Sequence, residues 1–187
     1  MQTSWTKLYS EIDGCTKCRL CEGRHNIVVG VGNKSADIMF IGEGPGHDED
    51  MQGVPFVGRA GQLLDRMLAS IDLTREDVYI ANIVKCRPPS NRNPEDDEAE
   101  ACIPYLREQF ALVRPKLIVC LGSVALRHIL GRELRITRER GRWHEKAGVS
   151  IIATYHPAAL LRDESKKREA WEDMKAIRAR YLQIKGK

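Results

Sequence analysis

Three polar side chains stand at or just beyond the ends of apolar runs: Glu43 after residues 37–41, Asn82 near the end of 78–84, and His156 after 151–154. Each run is short and apolar enough to be a buried strand. Side by side, such strands would carry the three residues to one rim, where an open α/β sheet builds its site. The first run stops in Gly42-Glu43-Gly44-Pro45-Gly46, a loop where a ligand can meet bare backbone, with Glu49 and Asp50 a few residues on. A second chemistry lies in the six cysteines. Cys15-x2-Cys18 and Cys86-x15-Cys102 offer four thiolates from two distant parts of the chain, a set that suits zinc or an iron-sulfur cluster. Spacing does not choose between them, and Cys18-x2-Cys21 offers a second chelating pair. Cys120, inside an apolar run, is an inert core thiol.

The elements that must hold these groups follow from periodicity. Trp5, Leu8, Tyr9 and Ile12 fall at helical spacing, as do Leu64, Met67, Leu68 and Ile71. Ala99, Cys102, Ile103, Leu106 and Phe110 mark a third helix, and Trp171, Met174, Ile177 and Tyr181 give a closing helix its buried stripe. Residues 117–121 add a further strand. Four strands separated by helices predict an α/β fold, a doubly wound four-stranded parallel sheet flanked by helices. The 187 residues suit a single domain, 1–187, whose N-terminal segment 1–33 carries the first cysteines. Net charge is only +4, but basic residues cluster in 132–146 and 162–168, as phosphate contacts or as a solvated face. No apolar run is long enough to span a bilayer and the N-terminus lacks a secretory segment, so the expectation is a soluble protein of the cytoplasm with no membrane partner.

With those residues in view, the chain resembles the family 4 uracil-DNA glycosylases, the iron-sulfur type of bacteria and archaea. The likeness runs over 15–181. It rests on the glycine loop, Pro55-Phe56-Val57-Gly58-Arg59-Ala60-Gly61, Asn82-Ile83-Val84-Lys85-Cys86-Arg87-Pro88-Pro89 and His156-Pro157-Ala158, in that order. The resemblance implies a uracil-DNA glycosylase-like fold and a [4Fe-4S] cluster on Cys15, Cys18, Cys86 and Cys102. It also implies hydrolysis of the N-glycosidic bond of uracil in single- or double-stranded DNA, by a monomer associated with the nucleoid.

Asn82 would pair with uracil N3–H and O4, and Phe56 would face the flipped base. Gly42 and Gly44 would line the base site. His156 would donate to uracil O2, and Glu43 would handle the water, with Glu49 as its rival. The cluster would hold Arg87 and Arg92 where phosphates pass. His47 stands where relatives often carry an acid. The 87–94 loop has no histidine with which to trap abasic DNA, which favours turnover. The competing reading is a non-catalytic DNA-binding iron-sulfur module accessory to a polymerase; an electron carrier is a third.

Overall fold

Runs such as Ile38-Met39-Phe40-Ile41 are apolar on both sides, the pattern of a strand covered by helices on each face. A computed structural model describes residues 4–186. The chain begins with α1 (Trp5–Ile12), β1 (Val31–Gly32), β2 (Ile38–Gly42), α2 (His47–Gln52), α3 (Arg59–Ala69) and β3 (Tyr79–Asn82). It continues with α4 (Asp96–Val113), β4 (Leu117–Leu121), α5 (Gly122–Ile129), α6 (Ile136–Glu139) and β5 (Trp143–Lys146). It closes with β6 (Val149–Thr154), α7 (Pro157–Arg162) and α8 (Lys167–Ile184).

The strands form one sheet in the order β1-β3-β2-β4-β6-β5. Its centre, β3-β2-β4-β6, is the expected set of four parallel strands. Two antiparallel edges widen it to six. β1 is only two residues long, at the end of the apolar stretch 27–31, and β5 is the charged, partly exposed Trp143-His144-Glu145-Lys146, so neither reads as a strand in the sequence. Ala147 and Gly148, both at positive φ (50° and 78°), turn β5 into β6 as a two-residue hairpin. A short charged edge strand also resists pairing with other chains.

Side chains alternate between the two faces of the sheet. Met39, Ile41, Tyr79, Ala81, Ile118 and Cys120 pack with α1, α4 and α5. Ile38, Phe40, Ile80, Val119 and Ile152 pack with α3, α7 and α8. Full burial of each large apolar side chain contributes about 1.5–3 kcal/mol. Trp171 departs from expectation: it is 43% exposed, and the inner stripe of α8 is Ala170, Met174, Ile177 and Tyr181. The true stripe starts one residue earlier, with a small side chain where the sequence suggested a large one. No helix among the described residues is long and apolar enough to cross a membrane.

From β2 the chain moves to β3 on one side, whereas from β4 it moves to β6 on the other. The strand order thus reverses between the carboxyl ends of β2 and β4, which is where an open α/β sheet leaves a crevice for ligands.

Candidate active site

Gly42 ends β2 and is in register with Asn82, the last residue of β3. A Cβ on Gly42 would lie 2.5 Å from Phe56 Cζ and closer still to Asn82 Oδ1, so only glycine lets both side chains occupy their places. Gly42 therefore shapes the site from behind, while Gly44 is in the wall of the cleft itself. Phe56 sits at φ 55°, a conformation that costs about 1–3 kcal/mol and must be held by its surroundings. Arg75 donates to its carbonyl, and the Gly61 backbone packs so closely against it that no side chain would fit there. In this pose the Phe56 ring lies 5.6 Å from the His156 ring, centroid to centroid, at 30°.

These residues line a cleft of about 580 Å³ together with Glu43, Gly44, Asn82 and Arg162. Asn82 is 1% exposed, and its Oδ1 has no hydrogen-bond partner among the described residues. Leaving a buried amide oxygen unpaired costs about 1–3 kcal/mol, so this acceptor suits a ligand donor. His156 caps α7, its Nδ1 accepting from Ala158 N at 3.1 Å. The proton then belongs on Nε2. Burial, with a smaller contribution from the Arg162 charge, pushes the ring's pKa down to about 4, so it is neutral at pH 7 and still a donor. Gly122 (φ +89°) lets the end of β4 pack against it; a Cβ there would lie 2.8 Å from His156 Cβ.

The structure separates the two acids. Glu49 Oε1 accepts from Val57 N and Gly58 N, both at 2.8 Å, and its Oε2 accepts from Gly46 N at 3.1 Å. It is a clamp joining the glycine loop to the Phe56 segment. Glu43 faces the cleft with no side-chain hydrogen bond among the described residues, and burial raises its pKa against the opposing Arg162 charge. Of the two, Glu43 has the free oxygens. His47 lies exposed at the start of α2, beside Asp48.

Much of the basic sequence is already neutralised. Arg132 pairs with Asp96 and Glu100, Arg140 with buried Asp173, and Lys166 and Lys167 with Asp163 and Glu164. Arg92 reaches the cleft, but its guanidinium is held by Glu98 at 2.8 and 2.6 Å; Arg87 donates to Asn91 Oδ1. In the sequence Arg162 stands out only as part of the basic cluster 162–168. Its place six residues after His156, on the helix that His156 caps, is the signal that could have set it apart.

Cys15, Cys18, Cys86 and Cys102 line one small cavity with Arg24, Lys85 and Tyr105. Cys21 does not line it, and Cys120 is fully buried in β4 with its thiol pushed up to about 12. Donors already point at three of the sulfurs: Tyr105 Oη to Cys15 Sγ (3.4 Å), Arg24 Nη1 to Cys86 Sγ (3.3 Å) and Lys85 N to Cys102 Sγ (3.3 Å). Among the described residues, no three His, Cys, Asp or Glu side chains form a group that could hold a metal ion. The four sulfurs border a cavity and do not close on a point.

The fold and the cleft define a class: an α/β protein whose crevice at the strand-order switch combines an amide, an imidazole and an aromatic ring. The family model describing the Uracil DNA glycosylase superfamily matches residues 29–175. Over 177 residues the chain is 49% identical to the type-4 uracil-DNA glycosylase of Archaeoglobus fulgidus, covering 89% of this chain and 88% of that one. It is 48% identical to the Thermotoga maritima type-4 enzyme (81% and 80% covered) and 44% identical to that of Sulfurisphaera tokodaii (94% and 84%). The chain belongs to the uracil-DNA glycosylase superfamily, in its type-4 branch.

Proposed function

We infer that this chain removes uracil from DNA by hydrolysing the N-glycosidic bond, leaving an abasic site. The observation that carries the reading is the buried, unpartnered Asn82 Oδ1 in the cleft of a chain so close to the type-4 enzymes. Uracil offers N3–H beside O4, a pair that one amide can match with its oxygen and its NH2. Cytosine presents the reverse pattern and would leave buried groups unpaired. Phe56 faces the flipped base. As the bond breaks, charge grows on uracil O2, and the neutral Nε2–H of His156 stabilises it. Glu43 orients the attacking water and offsets positive character on the sugar. A binding-only module would have no use for an unpartnered acid and amide in one cleft, so that alternative is not favoured.

The cysteine site fits a [4Fe-4S] cluster better than zinc. A zinc ion needs four ligands at about 2.3 Å from one centre, whereas here the sulfurs surround a cavity and already meet N–H and O–H donors. Cys15, Cys18, Cys86 and Cys102 would hold it. When bound, the cluster supplies a structural clasp tying the N-terminal segment to the loop after β3 and to α4.

Two experiments test this reading. Mass spectrometry of a uracil-containing oligonucleotide after incubation should show free uracil and an unbroken backbone; strand scission without alkali would mean a different chemistry. Asn82→Asp removes the donor to O4 and should weaken uracil recognition by about 10–100-fold, the scale of an unpaired buried polar group; unchanged selectivity would remove Asn82 from base reading.

The pH profile follows from the signs of the shifts. Glu43 must be ionised, and its raised pKa places an acid limb above the usual carboxylate range. His156 acts neutral with a pKa of about 4, so no decline should accompany its deprotonation. Single-turnover rates should rise with pH and then stay level through pH 8, and Glu43→Gln should flatten the acid limb. A rate falling tenfold per pH unit above neutrality would instead identify an imidazolium donor.

A further inference from the structure

Lys85 is 1% exposed, and its side chain folds back toward its own strand. Nζ donates to the Asn82 carbonyl at 2.8 Å and to Gln109 Oε1 at 2.6 Å. Gln109, itself fully buried on α4, donates onward to Val29 O (2.8 Å) and Tyr79 Oη (3.0 Å). The next peptide N–H after Asn82, that of Ile83, donates to Gly42 O at 3.0 Å. Both ends of the peptide unit leaving Asn82 are therefore pinned, one by the glycine loop and one by Lys85. The Asn82 amide has no such anchor for its oxygen among the described residues. Its aim into the cleft depends on the backbone beneath it.

Both Lys85 Nζ partners are neutral oxygens inside the fold. Lys85 also lines the cysteine cavity, and its own backbone N–H donates to Cys102 Sγ.

We propose that Lys85 is a positioning residue for base reading: through its two buried hydrogen bonds it fixes the end of β3 and with it the Asn82 amide. This rests on the uracil-excising function inferred above. Lys85→Met keeps the length of the side chain and removes the charge and both hydrogen bonds.

The test compares the parent, Lys85→Met, Asn82→Ala and the double variant. Each is assayed for iron and labile sulfide per chain, thermal midpoint, and binding of free uracil by calorimetry. Lys85→Met should keep parental iron and bind uracil about tenfold or more weakly, the scale of leaving a buried polar group unpaired. The double variant should bind no more weakly than Asn82→Ala alone, since Lys85 acts through Asn82. Gln109→Leu, which removes only one partner of Lys85, provides a milder version and should shift uracil affinity the same way. A parent that excises uracil separates this test from that of the function. In such a parent, equal uracil affinity in both Lys85→Met and Gln109→Leu, or additive losses in the double variant, would overturn the positioning role.

Discussion

Replacing His156 by alanine is expected to slow single-turnover uracil release by ~100-fold or more, the loss that follows removal of one preorganised donor from a developing oxyanion. The expectation rests on the tautomer. Ala158 N occupies Nδ1, so Nε2 carries the proton, and burial keeps the ring uncharged. A neutral donor already in place needs no proton transfer and no reorganisation as the bond breaks. The substitution also removes the cap of α7, worth about 1 kcal/mol, so thermal midpoints should accompany the kinetics. DNA binding should change little, because the interaction grows only as charge develops. A parental single-turnover rate in His156→Ala would show that the leaving base is stabilised elsewhere.

Substitution at the cysteine cavity should have the largest effect on stability. Cys86→Ala or Cys102→Ala should lose iron and labile sulfide and lower the thermal midpoint by ~10 °C or more, because binding at a site absent from the unfolded chain is part of the folding free energy. Cys86 follows the Lys85 segment and Cys102 lies on α4, so losing either would untie the elements that the proposed cluster joins to the N-terminal cysteines. Cys120→Ala and Cys21→Ala should retain full metal content, since neither residue lines the cavity. Full content in Cys15→Ala together with loss in Cys21→Ala would move the ligand set to Cys18 and Cys21. Zinc in anaerobically purified protein would overturn the cluster itself.

The parallel core of the sheet was legible because its strands are uninterrupted apolar runs and the polar residues at their ends are rare. Glu43, Asn82 and His156 could be placed on one rim from that alone, and they do line one cleft. The edge strands were not legible: β1 has two residues, and β5 is defined by a hairpin turn and backbone pairing more than by its side chains. The competition between Glu43 and Glu49 was equally closed to inspection. Both are acids near the same loop, and only the three backbone N–H groups converging on Glu49 show that its oxygens are spent. Cys15-x2-Cys18 and Cys18-x2-Cys21 have identical spacing, so the choice between them needed a cavity. Arg92 is expected where phosphates pass because the cluster would hold its loop there, and its guanidinium makes a bidentate pair with Glu98 at the start of α4. Charge in a sequence does not reveal which charges are already paired.

Uracil excision itself is tested most directly on two oligonucleotides identical but for one base, uracil in one and cytosine in the other. Each is incubated with purified protein and then treated with alkali to cleave any abasic site. The site described above predicts cleavage of the uracil strand at that one position and an intact cytosine strand, in both single- and double-stranded form or in one of them. An uncleaved uracil strand, or equal cleavage of both, would contradict it.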